Sequence, residues 1–331
     1  MIPLPLNISC SWGFNQPYHP SVVYKEDGLF GHRYWLAQTP YPIADRAPYR
    51  DRYELPAVYY SDDGINWLPI SDTPLDDLTE LEIRDGCYFS DPHLIIKDKQ
   101  LELFYRFTSP DKIIVLYKRI STNGFVWSER ELVLDMHSEG TIAKFGNDII
   151  SPALRWSMEI GYECWYVDDN YNNKNRRIRY IRSVDGHTWS DSIVCHINNN
   201  DVAPWHIDIQ FIEGKHNLIT YDVDNERIDW FEGDRYNEFH WLTKIIEPSQ
   251  RRGDFYEKGL YRACLIKTKS VYNIYFSAHN KQNSYIGLIQ TGDKKNFYIV
   301  SGGNYISTLK YTIYVHYKTT RGFFRKLFKG Y

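Results

Sequence analysis

Two titratable residues stand two positions apart in the stretch APWHIDIQF, at His206 and Asp208. Side chains at positions i and i+2 of a β-strand share one face, so both point the same way while Trp205 and Ile207 share the opposite face. A histidine and a carboxylate on one face can move protons to and from a bound substrate. The alternative is a buried pair whose polar atoms are satisfied by the backbone.

Three further residues have side chains suited to chemistry or to binding. Glu54 follows the polar, aromatic loop YPIADRAPYRDRY, a kind of segment that often carries function, although it could equally be a solvated strand end. Arg262 in LYRACLI could bind an acidic sugar, hold a catalytic acid ionised, or form a structural ion pair. His19 in YHPSVVY could donate to sugar hydroxyls or transfer protons, and a satisfied core histidine is its alternative.

The elements that must position these side chains are marked by a repeated turn. SDDGINW, STNGFVW and SVDGHTW begin at residues 61, 121 and 183, and weaker copies begin at 235 (RYNEFHW) and 291 (TGDKKNF). Asp or Asn in such a turn accepts backbone N–H groups, Gly supplies a positive φ, and Trp can pin the next strand to a neighbouring sheet. Three strand-like runs precede each turn, so the repeat predicts five four-stranded units.

Five such units predict an all-β, five-bladed β-propeller, which hides most sheet edges by radial closure. The propeller is expected over residues 1–318, with a basic amphipathic tail over 319–331. The predicted blades cover approximately 19–70, 88–134, 148–197, 203–250 and 260–300.

The composition narrows the possible partners. Of the 331 residues, 16% are aromatic, which suits sheets and the stacking of sugars. The net charge of −3 argues against nucleic acid. Five widely spaced cysteines without a C-x-x-C pair indicate buried thiols in a reducing compartment, and no signal peptide is recognisable, so a cytoplasmic location is expected. No sequence motif for a cofactor or metal occurs, and none is predicted, although a cation at the axis of a propeller needs no motif.

The tail combines aromatic and basic residues. Phe323, Phe324, Leu327 and Phe328 fall on one face of a short predicted helix, among several lysines and arginines. Such a segment suits peripheral contact with an anionic membrane surface. A helix docked on the propeller, or a frayed end, is the alternative.

Taken together, the repeated turns and the DP dipeptide of FSDPHLI resemble the five-bladed propeller glycosidases, namely the arabinanase and β-xylosidase group with its invertase and levansucrase relatives. The turn is also similar to the Asp box of sialidases. The resemblance implies an axial funnel with one acid from each of the first three blades. Asp91 matches the second acid, whereas His19 and Ser151 stand where the first and third are expected. Glu163 in GYECWYVD resembles an acid motif of the invertases, although its predicted place in a second strand favours a structural role.

The sequence thus predicts a carbohydrate-active protein that cleaves or transfers a glycosidic bond of an oligosaccharide or polysaccharide between paired carboxylates. A non-catalytic glycan-binding propeller, or a membrane-associated glycosyltransferase or accessory protein of surface polysaccharide assembly, is the alternative. The candidate catalytic residues are Asp91, Asp208 and Glu54, and the candidate substrate-binding residues are His19, His206, Arg262, Trp205 and Glu163.

Overall fold

Five sheets follow one another along the chain, each built around four consecutive antiparallel strands. The computed structural model describes residues 3–8, 16–41, 54–111, 113–138, 140–170, 175–198, 201–280 and 283–302. Most of the predicted loop before Glu54, residues 42–53, and the predicted tail, residues 319–331, lie outside the described residues.

Each sheet is one blade, and its four main strands run in chain order from the propeller axis outward. Blade 1 contains β2 (Ser21–Leu29), β3 (His32–Gln38), β4 (Ala57–Ser61) and β5 (Asn66–Pro69), with β1 (Asn7–Ile8) added at its outer edge. Blade 2 contains β6 (Tyr88–Lys97), β7 (Gln100–Thr108), β8 (Ile114–Ser121) and β9 (Glu131–Asp135), and blade 3 contains β10 (Ile150–Ser157), β11 (Gly161–Asn170), β12 (Asn175–Ser183) and β13 (Ile193–Val194).

The last two blades follow the same plan. Blade 4 contains β15 (Pro204–Ile212), β16 (Lys215–Asp222), β17 (Arg227–Arg235) and β18 (Glu238–Ile246), with β14 (His196–Asn198) added at its outer edge. Blade 5 contains β19 (Gly259–Thr268), β20 (Val271–His279), β21 (Ser284–Thr291) and β22 (Tyr298–Val300). Two one-turn helices, α1 (Glu80–Arg84) and α2 (Thr141–Phe145), complete the described elements, and neither is long or apolar enough to cross a membrane.

The hydrophobic core is divided into five clusters, and each cluster joins two neighbouring blades. The cluster between blades 5 and 1, for example, packs Tyr275 and Ile286 against Tyr34 and Trp67. Because every blade buries both faces against its neighbours, the sheets form a closed ring. The predicted all-β, five-bladed propeller is therefore confirmed.

An N-terminal clasp, residues 4–8, crosses the junction between blades 1 and 5. β1 pairs in parallel with β5, so Ile8 lies beside Trp67. On the other side, the N–H of Leu6 donates to the carbonyl of Ile286 over 2.9 Å, and Leu6 itself is buried. The clasp therefore holds together two blades that are far apart in the sequence.

The repeated turns connect the third and fourth strands of their blades. In the first, Oδ1 of Asp63 accepts hydrogen bonds of 2.8 Å from the N–H groups of Ile65 and Asn66, while Gly64 takes a φ of +73°. The copies centred on Asn123, Asp185 and Asp293 repeat these acceptor bonds. The turns are thus structural, since they lie at the outer strands and away from the axis.

We expect Asp63→Ala to lower the free energy of unfolding by about 1 kcal/mol, as the loss of a capping side chain does. Burial alone would raise the pKa of Asp63, but the hydrogen bonds from Asn66 and Ile65 outweigh it and lower that pKa. A lowered carboxyl pKa stabilises the fold above the unfolded-state value and loses that effect as the pH falls. Urea unfolding of both proteins from pH 7 down to pH 3 should therefore show the difference shrinking with acidity, and a constant difference would contradict this assignment.

Around the axis, side chains of the innermost strands bind the backbone of the next blade, and we call this ring of contacts the axial girdle. Its side chains come from four inner strands, and its backbone partners extend it to the fifth. The contacts are Ser21 Oγ with the N–H of Leu94, His93 Nε2 with the carbonyl of Leu154, Ser151 Oγ with the N–H and carbonyl of Ile207, and Asp208 Oδ2 with the N–H of Leu265. The girdle fixes the inner strands relative to one another.

Candidate functional site

Three side chains from three blades meet at the axis. His19 precedes β2, Asp91 lies near the start of β6, and His206 lies near the start of β15. One ligand atom of each lies within 4.8 Å of the ligand atoms of the other two. All three residues are no more than 3% exposed. The structure therefore brings two imidazoles and a carboxylate into one buried cluster, which we call the axial triad.

An unusual local backbone presents two of these residues. His19 and Asp91 both precede a proline and have φ values of 51° and 52°, a left-handed conformation that non-glycine residues seldom adopt. Ser151, before Pro152, has the same conformation in blade 3. In blades 2 and 3 the strand pairing shifts across this step, so the side chain leaves the regular alternation. Such strained positions concentrate at functional sites.

The electrostatics of the axial triad suit a ligand that is itself positive. Burial alone would raise the pKa of Asp91, but His206, His19 and Arg262 together hold it well below its usual value, so the carboxyl is ionised. Burial lowers the pKa of His206 to about 4, which leaves this imidazole neutral near pH 7. Nδ1 of His206 lies 3.2 Å from Oδ1 of Asp91, yet neither atom makes a hydrogen bond to a described residue.

The axial triad also contains buried polar atoms that lack hydrogen-bond partners among the described residues. Nε2 of His19, Oδ1 of Asp91 and both ring nitrogens of His206 are buried without a hydrogen-bond partner among the described residues. Buried polar atoms are normally paired, because leaving one unpaired costs roughly 1–3 kcal/mol. Two imidazoles and one carboxylate form a donor set that divalent first-row metals accept. The sequence predicted no metal, whereas these residues fit one.

Glu54 stands beside the axial triad. Its Oε2 lies 3.1 Å from Nδ1 of His19 and makes no hydrogen bond to a described residue, while its Oε1 accepts the hydroxyl of Tyr41. Nδ1 of His19 also lies 2.8 Å from the hydroxyl of Thr39, which orients the ring so that Nε2 stays free. Glu54 thus adjoins the axial triad through Nδ1 of His19.

Aromatic rings form one side of the site. The ring of Tyr261 lies 4.1 Å from that of His206 and stacks on Tyr18 at 4.9 Å. The indole N–H of Trp205 donates to the hydroxyl of Tyr261, and the guanidinium of Arg176 lies 4.8 Å from the Trp205 ring. Partly exposed aromatic faces beside polar groups suit the stacking of a sugar ring.

A second set of ionisable side chains lies against the axial triad. Arg262 is 0% exposed, and its Nη1 lies 3.7 Å from Oδ1 of Asp91. Asp208 is not in the axial triad itself: Oδ2 is bound to the N–H of Leu265, and Oδ1 lies 3.9 Å from Nδ1 of His93. Burial raises the pKa of Asp208 to about 6. The structure therefore places Arg262 and Asp208 around the triad rather than facing an open funnel.

Glu163 lies apart from these groups. It is buried in β11, where its carboxylate binds Nη1 of Arg155 over 2.9 Å and the hydroxyl of Tyr180 over 3.1 Å. Burial raises its pKa. These contacts match the structural alternative foreseen for this residue.

We expect Glu163→Gln to change the catalytic rate by less than about twofold while lowering stability by about 1 kcal/mol, because the amide keeps one hydrogen bond but loses the ion pair. Thermal unfolding together with an activity assay would check this. A loss of activity without a loss of stability would place Glu163 in the site.

The sequence did not single out His93, Tyr41 or Tyr261. His93 stands two residues after Asp91 in the same strand, so the spacing rule used for His206 and Asp208 could have found it. Tyr261 is the neighbour of Arg262, and only the irregular pairing at the start of β19 turns both side chains inward. Tyr41 is the first residue of the loop that precedes Glu54, and no sequence pattern distinguishes it from the other tyrosines of that loop.

Solved structures provide the comparison, because no family model and no curated protein matches the chain. An N-acetylgalactosamine deacetylase from F. plautii, solved with blood group B trisaccharide, superposes with a TM-score of 0.67 at 17% identity, over 88% of this chain and 95% of that one. The chain shares the fold of the five-bladed propeller glycosidases. A family-43 β-xylosidase/α-arabinofuranosidase from a compost metagenome, in complex with xylotriose, gives a TM-score of 0.62 at 11% identity, over 91% and 99%. The predicted resemblance is confirmed for the fold.

Proposed function

We propose that the protein is a metal-dependent hydrolase that removes an acyl group from an amino sugar of an oligosaccharide. The observation that carries this proposal is the axial triad, in which His19, Asp91 and His206 turn unsatisfied atoms toward one another in a buried place. The likeness to a propeller that deacetylates N-acetylgalactosamine supports it at the level of the fold.

The chain's own residues would divide the work as follows. A divalent metal held by the axial triad would polarise the acyl carbonyl and lower the pKa of a nearby water. Glu54 takes a proton from the attacking water, whose oxygen bonds to the acyl carbon. The C–N bond then breaks, the nitrogen receives the proton from Glu54, and the products are a carboxylic acid and an amine, which become a carboxylate and an ammonium group when the acid gives up its proton. Tyr261 and Trp205 hold the sugar ring.

A second candidate is cleavage or transfer of a glycosidic bond between paired carboxylates, which the fold of the β-xylosidases favours. Asp91 and Glu54 would then be the pair. A glycosidase needs one carboxyl that stays protonated as the general acid. Asp91 is held ionised, and Asp208, whose pKa is raised, is 1% exposed and bound to Leu265, so the acid role would fall to Glu54.

The two functions release different products, and one experiment separates them. The protein is treated with a chelator, dialysed, and assayed with and without Zn²⁺, Mn²⁺ or Co²⁺ on oligosaccharides that contain N-acetylgalactosamine and on xylo-oligosaccharides. We expect acetate without new reducing ends, lost on chelation and restored by metal. New reducing ends that survive chelation would instead support the glycosidase. Binding without either product would support a glycan-binding propeller.

A further inference from the structure

Three ionisable residues fill the axis next to the axial triad, and none of them reaches solvent. His93, Asp208 and Arg262 come from blades 2, 4 and 5, and each is 1% exposed or less. Burying a charge is costly unless a partner compensates for it. Each charged side chain in this group therefore needs a nearby group that compensates for its charge.

The hydrogen bonds fix the state of His93. Its Nε2 lies 2.9 Å from the carbonyl of Leu154 and must carry the proton, so Nδ1 is an acceptor. Nη2 of Arg262 lies 3.5 Å from that Nδ1 and can donate to it. Burial is the main cause that lowers the pKa of His93 to about 3, and the positive charge of Arg262 is the second cause. His93 therefore contributes an orienting contact and no charge.

Arg262 is the positive group that faces two carboxylates. Nη1 lies 3.7 Å from Oδ1 of Asp91, and the guanidinium also interacts electrostatically with Asp208. Its Nε and Nη1 make no hydrogen bond to a described residue. One guanidinium thus serves Asp91 and Asp208, while Glu54 lies nearby against His19.

Acidic side chains outnumber basic ones in this buried place. Asp91, Asp208 and Glu54 lie around one guanidinium, that of Arg262, and none of the four residues is more than 9% exposed. Buried acidic groups need a compensating positive charge, and a divalent cation at the axial triad would supply it.

We infer that Arg262 sets the cation affinity of the axial triad: its guanidinium, which faces Asp91, offsets part of the charge of the buried carboxylates, so that the triad is matched to a divalent cation. This inference rests on the proposed function. Arg262 and Asp208 act in opposite directions: the first lowers the attraction for a cation, and the second raises it.

The test measures binding of Co²⁺ to the full chain by its visible absorption, in the wild type and four variants. Arg262→Met removes the positive charge at similar length, and we expect Co²⁺ to bind about tenfold more tightly or better. Asp208→Asn keeps an acceptor for Leu265 and should bind about tenfold more weakly. The double variant should return to within about threefold of the wild type. Arg262→Lys keeps the charge and should resemble the wild type.

Thermal unfolding without metal shows that each variant folds. The added stability that Co²⁺ confers should be larger for Arg262→Met than for the wild type. If Arg262→Met weakens binding as Asp208→Asn does, a merely structural role is established and this inference is overturned, while the proposed function stands. If the wild type itself does not bind Co²⁺, the proposed function fails and this inference fails with it.

Discussion

His206→Ala should abolish metal binding and reduce turnover by at least about a hundredfold, the loss caused even by removing an outer partner of a metal ligand. The reason is that His206 would supply one of the three donor groups of the proposed metal site, and no imidazole among the described residues other than those of His19 and His206 belongs to that cluster. Bound metal measured after dialysis, together with the rate of acetate release, would check this result.

His216→Ala is the matched control for that prediction. His216 is also a buried histidine of blade 4, but its ring packs against Trp165 and Phe211, away from the axis. We expect it to cost stability and to leave the metal content unchanged. If His206→Ala retains both metal and turnover, the axial triad is not the centre of the chemistry.

Leu6→Asp should lower the free energy of unfolding by about 4 kcal/mol or more, because it buries an unpaired carboxylate in the cluster that joins blades 5 and 1. Leu6 also positions the backbone bond to Ile286 that holds the ring closed. Urea unfolding followed by fluorescence would measure the change.

Leu68→Asp provides the comparison for the clasp. Leu68 lies on the neighbouring strand β5 but is 57% exposed, so the same substitution should change the unfolding free energy by less than about 0.5 kcal/mol. Equal losses for the two variants would show that the clasp contributes nothing beyond its local strand.

The blades could be predicted because the turn chemistry is local. Asp63 and Gly64 act within a few residues, so their pattern is visible in the sequence and repeats in each blade that keeps it. The spacing rule likewise placed His206 and Asp208 on the inward face, and both do reach the axis region. The rule could not distinguish His206, which belongs to the axial triad, from Asp208, which belongs to the axial girdle.

The axial triad itself could not be read from the sequence. His19, Asp91 and His206 come from blades 1, 2 and 4, and closure of the whole ring decides that they meet. The irregular steps at the starts of the inner strands further break the alternation on which spacing arguments depend.

The axial girdle has a consequence for how this site could change by evolution. Blade 3 supplies Ser151 in the same left-handed, pre-proline conformation that presents His19 and Asp91, so one substitution there could add a fourth donor to the centre. The hydroxyl of Ser151 is, however, the girdle contact that joins blade 3 to the backbone of Ile207 in blade 4. Replacing Ser151 by a metal-binding residue would therefore remove the hydrogen bonds that this hydroxyl makes between blades 3 and 4. At this position, a gain in metal ligation would come with a loss in stability.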